Sequence, residues 1–233
     1  MDLFLNSSAK MTEHTYRQRF TLIEMLIVVG IASLLFALLG PAFTRMTQSR
    51  AVEQHASGLK LGMERARAIA VSQRRFVALL LPHSSTTDTD PHYKYQRGGF
   101  KIGFITNSSE GNYVFDGVVD SAEWTNRGNN AFLTAVDNQK DKNLSSEKPL
   151  ESDFIQNEPT GFSTLLHTVG NVPTGSGGAT ISTRAIIFSP YGNAIMPGDD
   201  TEIYFYITGL DVNDCIKLRL NKLSGKVEYY TEE

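Results

Sequence analysis

The chain has 233 residues, of which 41% are hydrophobic, and a formal net charge of −3. This length allows one good hydrophobic core with an additional element, and no polybasic tract of the nucleic-acid-binding kind is present. The single cysteine, Cys215, cannot form an internal disulfide, and we expect it to be a small buried side chain near the start of a strand.

The charges are unevenly distributed along the chain. Residues 1–43 carry three basic and three acidic side chains, whereas residues 44–75 carry seven basic and two acidic ones, a balance of +5. The remainder, residues 76–233, carries 12 basic and 20 acidic side chains, a balance of −8. This pattern predicts a basic helical rod joined to an acidic head.

The first predicted element is an apolar helix that begins near residue 20. No charged residue occurs from Met25 to Phe43, a run of 19 positions that would span about 28 Å of helix, close to the roughly 30 Å hydrocarbon thickness of a bilayer. A buried core helix would show a polar face, and a cleaved secretory signal usually has a shorter apolar stretch. Residues 20–43 are therefore predicted to be a transmembrane and assembly helix.

Charge predicts the orientation of this single span. Lys10, Arg17 and Arg19 precede it, which favours a cytoplasmic N-terminus and an extracytoplasmic, periplasmic head on the cell inner membrane. Arg45 and Arg50 follow the span, but long domains translocate largely regardless of charge.

One carboxylate, Glu24, stands at the start of this apolar run. An ionised side chain deep in a bilayer costs about 2.5–3.5 kcal/mol or more, and less at a helix terminus. Two interpretations follow. Glu24 either reaches the membrane interface, or it meets a positive partner.

The stretch "FTLIEMLIVVGIASLL" resembles the N-terminal motif of type IV pilins and type II secretion pseudopilins. The resemblance implies that residues 1–19 are a leader peptide, that a prepilin peptidase cuts between Arg19 and Phe20, and that Phe20 becomes N-methylated. It also implies that Pro41 kinks the helix. The family favours glycine before the cut, where this chain has Arg19.

The resemblance gives Glu24 a specific partner. Cleavage would create an amine with an ordinary pKa near 8 on Phe20, and Glu24 of an adjoining subunit could pair with it and set the axial register. If the leader stayed attached, Arg19 could instead serve as a local countercharge for Glu24.

Residues 44–75 are predicted to continue the rod as an amphipathic helix. An apolar stripe recurs at intervals of three and four residues, which indicates one helix face: Val52, Ala56, Leu59, Met63, Ala66 and Ala70. From Leu59 onward we expect this stripe to pack against the head, the alternative being a surface for neighbouring helices. The basic residues are expected to form a solvated face, with lipid headgroups or nucleic acid as alternatives.

Residues 76–233 are predicted to form a β-rich globular head with a variable loop region at about 83–183. A hairpin is expected to turn at Gly98 and Gly99, and "CIKLRLNKLSGKVEYY" predicts a hairpin at a sheet edge. The fold class is thus α+β, with a long N-terminal α-helix packed against an antiparallel β-sheet head, as in pilins.

Three segments resemble H-type minor pseudopilins and FimT-like minor pilins: "GLKLGMERARAIAVSQRRFVALLL", "IIFSPYGNA" and "RLNKLSGKVEYY". The resemblance covers roughly residues 20–82 and 184–230. It implies a minor structural subunit of a type II secretion pseudopilus, with a minor type IV pilin in pilus assembly or DNA uptake as the alternative. A signal-anchored membrane protein that never polymerises is the second alternative.

No catalytic chemistry is predicted. The five histidines show no metal-ligand spacing with each other or with Cys215, and no nucleophile–base pair is evident from spacing. We therefore expect no enzyme activity, no metal and no cofactor. The expected partners are a prepilin peptidase, other pseudopilins or pilins of the same filament, an inner-membrane assembly platform and membrane lipid. Nucleic acid is not expected, because the head is acidic.

Overall fold

The computed structural model describes residues 21–82, 99–108, 112–119, 124–126, 131–140, 144, 162–173, 180–209 and 215–230. Within this part, the side chains of residues 38–49, 82, 125–126, 162–163, 171 and 180–182 are not described. The chain divides into two units, residues 1–44 and residues 45–233. Helix α1, Leu22–Gln73, contributes to both.

In the first unit, α1 begins at Leu22, and nearly all of its described side chains, those of residues 22–37, are exposed. Eleven large apolar side chains between Leu22 and Phe36 are 53% to 84% exposed. The helix continues through Pro41. The kink predicted at Pro41 stays a prediction, and residues 38–43 of the predicted membrane segment lie outside the described side chains.

In the second unit, α1 runs to Gln73 and buries one face. All six residues of the predicted apolar stripe are at most 2% exposed. They pack in one cluster with side chains from the strands of the head, so burial against the head begins at Val52 rather than at Leu59. The alternative interpretation, that the stripe serves neighbouring helices, is wrong because the head already covers it.

The close packing of α1 against the head requires glycine at one of the two glycine positions in this part of the helix. A methyl group on Gly62 would lie 2.7 Å from Cε2 of Phe100, which is nearer than side-chain carbons come to one another. Gly62 therefore lets the helix approach the strand that contains Phe100, and this contact offsets the modest helix cost of glycine.

The strands follow α1 in chain order. Their bounds are β1 Val77–Pro82, β2 Gly99–Asn107, β3 Tyr113–Val118, β4 Thr125–Asn126, β5 Phe132–Asp137, β6 His167–Pro173, β7 Thr180–Phe188, β8 Ala194–Ile195, β9 Glu202–Thr208, β10 Cys215–Asn221 and β11 Val227–Tyr230. A short helix, α2, spans Phe162–Leu165.

The strands of the described part of the head form two sheets, where an antiparallel β-sheet head was predicted. In the seven-stranded sheet, β1 pairs with both β2 and β7. The pairings β1–β2–β3–β6–β7–β1 close a circuit, in which β3 and β6 are parallel through the single pair Tyr113 and Val169. The four-stranded sheet has the order β11-β10-β9-β5.

The predicted C-terminal hairpin is confirmed. β10 and β11 pair antiparallel, with Leu218 opposite Tyr229 and Leu220 opposite Val227, and β11 is an edge strand. The hairpin predicted at Gly98 and Gly99 stays a prediction. Gly99 is the first residue of β2 and pairs with Asn126, but Gly98 and the residues before it, which would form the other half of the hairpin, lie outside the described residues.

Helix α1 ends in a backbone motif that usually contains glycine. Arg74 has a φ of 53°, in the left-handed region, and the N–H of Arg75 donates to the carbonyl oxygen of Ala70 at 3.2 Å. This six-to-one hydrogen bond is that of a Schellman motif, in which glycine is the preferred residue at the position of Arg74.

Candidate assembly segment and the turns that brace the head

The predicted assembly segment begins with a capping box. The backbone N–H of Thr21 donates to Oε2 of Glu24 at 2.8 Å, and the Thr21 hydroxyl donates to the same oxygen at 2.9 Å. The N–H of Glu24 in turn donates to Oγ1 of Thr21 at 3.3 Å. A threonine at the N-cap and a glutamate three residues later form a capping box, which satisfies two of the N–H groups that a helix start leaves without intrahelical partners.

This geometry adds a local role for Glu24. Among the described residues, both hydrogen bonds that its carboxylate accepts end on Oε2, which leaves the lone pairs of Oε1 for a further donor. The Thr-x-x-Glu spacing before an apolar run is the sequence signal for such a cap, and it predicts Thr21 as a functional neighbour of Glu24. Arg19 and Phe20 lie outside the described residues.

The large apolar side chains at the start of α1 are exposed. They extend from Leu22, which is 84% exposed, to Phe36, which is 75% exposed, and form a continuous apolar surface. An apolar surface of this kind marks contact with another protein or with lipid. Among the residues whose side chains are described, no helical stretch has the length and apolarity needed to cross a membrane.

Two basic residues, Arg67 in the second part of α1 and Arg75 just after its end, contact residues of the head. Nε of Arg67 donates to the carbonyl oxygen of Gly192 at 3.0 Å. Arg75 pairs with Asp116, and its guanidinium carbon lies 4.4 Å from the ring centroid of Phe104. The prediction of a merely solvated basic face is therefore wrong for Arg67, which is partly buried, whereas Arg75 is exposed as predicted.

Arg67 meets two turns at once. The first turn joins β7 to β8: the N–H of Gly192 donates to the carbonyl oxygen of Ser189 at 2.9 Å, and Gly192 has a φ of 87°. The second joins β10 to β11, where Gly225 has a φ of 63°. A methyl group on Gly225 would lie 2.0 Å from the carbonyl oxygen of Gly192 and 3.1 Å from Cδ of Arg67. The two backbones and the guanidinium are therefore in contact.

The four-stranded sheet carries a polar network of its own. Arg219 lies 2.7 Å from Glu228 and 3.6 Å from Glu202, and the Tyr204 hydroxyl donates to Glu202 at 2.8 Å. Hydrogen bonds from Lys226 and Arg219 lower the pKa of Glu228 to about 2. Burial, with the nearby Glu202, raises the pKa of Tyr204 to about 12.

The predicted buried position of Cys215 is confirmed only in part. Cys215 is the first residue of β10, is partly buried, and packs against a cluster that includes Tyr204 and Tyr206. It also lines an open groove of about 900 Å³ beside α1, together with Glu53 and Lys217. In the described part of the chain, no group of three or more His, Cys, Asp or Glu side chains could hold a metal ion.

Neither a protein-family model nor a curated protein matches the sequence. Among solved structures, the chain is similar to the type IV minor pilin FimU of Pseudomonas aeruginosa strain PAO1, with a TM-score of 0.38 and 14% sequence identity. The match covers 81% of this chain and 91% of the FimU chain. A similarity of this strength does not by itself assign a fold family or a function.

Proposed function

We propose that the chain is a minor pilin-like structural subunit, anchored by α1 and added to a filament after cleavage by a prepilin peptidase. The observation that carries the proposal is the start of α1. Nine exposed large apolar side chains follow a single carboxylate, and that carboxylate is held at the first turn by Thr21. Such a surface needs lipid before assembly and neighbouring helices afterwards.

The remainder of the chain is suited to this role. The second part of α1 buries its apolar stripe against the head, so it is not available for packing between subunits. Contacts between helices of neighbouring subunits would therefore involve residues 22–43, while the head would present a separate surface to other partners. Among the filament systems, we favour the type II secretion pseudopilus, on the resemblance of "IIFSPYGNA" and "RLNKLSGKVEYY" to H-type minor pseudopilins.

In this proposal Glu24 has two roles. Its Oε2 closes the capping box, and its Oε1 receives the N-methylated amine of Phe20 from an adjoining subunit. Leaving either charge without its partner in an apolar environment is costly, so the pair would set the axial position of each added subunit.

Processing provides the direct test. The full chain would be coexpressed with a prepilin peptidase, and its N-terminus would be determined by mass spectrometry. The proposal predicts loss of residues 1–19 and one added methyl group on Phe20. An intact bond between Arg19 and Phe20 would contradict it and would favour a signal-anchored protein that does not polymerise.

Arg19→Gly is the matched variant for this experiment, because glycine is the residue that the family favours before the cut. Cleavage of the variant but not of the native chain would show that Arg19 itself blocks the peptidase. Cleavage of both would show that the enzyme accepts arginine at this position.

A further inference from the structure

Two turns of the head expose large side chains beside the C-terminal end of α1. Tyr191 on the β7–β8 turn is 92% exposed, and Leu223 on the β10–β11 turn is 76% exposed. Val71 of α1 is 47% exposed, and its Cγ2 lies 3.1 Å from the place that a methyl group on Gly192 would take. We call Val71, Tyr191 and Leu223 the two-turn patch.

The backbone beneath the patch is held by many hydrogen bonds. The N–H of Tyr191 donates to Oγ of Ser189 at 3.1 Å, and the N–H of Ser189 donates to the carbonyl oxygen of Asn193 at 3.0 Å. The N–H of Ala194 donates to the carbonyl oxygen of Lys222 at 2.8 Å, which joins the two turns. Hydrogen bonds thus hold the backbone that carries Tyr191 and Leu223, which lowers the entropy cost of ordering these turns when a partner binds.

The charges around the patch are mainly positive. Arg67 lies between the two turns, Arg74 follows Val71 by three positions and is exposed, and Nζ of Lys222 donates to the carbonyl oxygen of Gly198 at 2.7 Å. Lys226 is paired with Glu228.

The nearby carboxylates compensate only part of this charge. Asp200 accepts a hydrogen bond from Nδ2 of Asn138 at 3.0 Å, and Glu228 is paired with Arg219 as well as with Lys226. The amide of Asn138 is neutral, so Asp199 and Asp200, both exposed, keep their negative charges. Three cations, Arg67, Arg74 and Lys222, therefore stand against two carboxylates in this stretch.

We propose that the two-turn patch binds a partner protein whose contact surface has an apolar centre and an acidic rim. Exposed aromatic side chains on a rigid support are the usual anchors of protein interfaces, and the positive rim selects a negative counterpart. All of the residues lie within 45–233, so the inference does not depend on processing or on the assembly segment.

The same charges argue against other occupants. A second copy bound through the same patch would bring two rims of the same, mainly positive charge together, which is unfavourable. Nucleic acid would gain little from the aliphatic side chains of Val71 and Leu223, and it would meet Asp199. A bilayer would not require the hydrogen-bonded geometry that fixes Tyr191.

Site-specific photocrosslinking in the source cells tests the proposal on the full chain. p-Benzoylphenylalanine would replace Tyr191 or Leu223, and Val114 would be the control site because it is a 51% exposed apolar residue on β3. We expect one protein to be crosslinked at both patch positions and not at Val114, through a peptide with acidic residues beside an apolar contact. The absence of a crosslink at both patch positions would overturn the proposal, as would a crosslink to a second copy or to nucleic acid.

The partner identified in this way would then be purified and titrated with the processed or unprocessed full chain in detergent. Tyr191→Ala should weaken binding about tenfold or more, as for an interface anchor. Arg74→Glu should weaken it severalfold with a reduced salt dependence, and Val114→Ala should have no effect. Equal affinities for wild type and Tyr191→Ala would overturn the proposal. Binding of phosphatidylglycerol vesicles that is lost in Tyr191→Ala would overturn it in favour of lipid.

Discussion

Nε of Arg67 lies 3.0 Å from the carbonyl oxygen of Gly192, although 125 positions separate the two residues in the chain. The contact joins the last third of α1 to the turn after β7. Because Gly225 packs on the same carbonyl group, one arginine connects the helix to two turns that are distant in sequence. We therefore expect the guanidinium of Arg67 to help hold these two exposed turns in position.

Replacing Arg67 with methionine should destabilise the head while retaining most of the apolar stem. The carbonyl group of Gly192 would lose a charged donor, and a hydrogen bond to a charged group contributes about 1.5–3 kcal/mol. Urea unfolding followed by circular dichroism measures the change in the free energy of unfolding. An unchanged midpoint would show that water replaces the guanidinium at no cost.

Replacing Gly225 with alanine should be among the most damaging single changes in the head. The φ of 63° alone costs a non-glycine residue about 1–3 kcal/mol, and the new methyl group would overlap the carbonyl oxygen of Gly192. Gly198→Ala is the matched control, because its φ of 79° carries the same backbone cost while the added methyl group would lie 3.5 Å from Oδ2 of Asp200, an ordinary contact. Equal losses of unfolding free energy in the two variants would contradict the predicted overlap.

Replacing Arg74 with glycine should stabilise the protein by about 1 kcal/mol, because the left-handed conformation at the end of α1 suits glycine. Arg75→Gly is the control with the opposite expected sign, since it removes the ion pair with Asp116 and the contact with Phe104. Thermal unfolding of both variants beside wild type gives the comparison. A lower melting temperature for Arg74→Gly would show that this arginine has a stabilising contact.

The pKa of Glu228 predicts a pH-dependent contribution to stability. Because Lys226 and Arg219 lower this pKa from 4.5 to about 2, the folded state favours the ionised carboxylate. The contribution is complete above about pH 4.5 and is lost as the pH falls toward about 2. Urea midpoints of wild type and Glu228→Gln should therefore differ at neutral pH and converge near pH 2. A difference that stays constant over this range would contradict the assignment.

The parts of the fold that depend on local periodicity could be predicted from the sequence. The stripe from Val52 to Ala70 is buried as its spacing indicates, and the alternation of Leu218 and Leu220 with charged residues gives the β10–β11 hairpin. The start of burial at Val52 could not be predicted, because it depends on which strands cover the helix.

Contacts between segments that are distant in the sequence could not be predicted from local sequence patterns. The sequence around Arg67 does not distinguish it from a solvated helical arginine, because Gly192 and Gly225 lie beside it only in the folded structure. Gly99 was predicted to lie in a turn, and its pairing with Asn126 at the start of β2 is a contact with a distant segment that local pattern does not indicate. The capping role of Thr21 was readable in Thr-x-x-Glu, since both of its partners are local.

We propose that Glu24 acts between subunits and not only as a helix cap. The most direct test of this role is the incorporation of three full-length variants into filaments sheared from the source cells, measured against wild type. Glu24→Gln removes the charge but keeps a residue that a capping box accepts, whereas Thr21→Ala removes the cap but keeps the carboxylate. Glu24→Ala removes both functions of the glutamate side chain.

We predict that Glu24→Gln and Glu24→Ala lose incorporation while Thr21→Ala retains most of it. Normal incorporation of Glu24→Gln would contradict a role of Glu24 between subunits. So would a result in which Thr21→Ala and Glu24→Ala lose incorporation equally while Glu24→Gln does not. Either result would leave Glu24 as a local cap at the start of α1.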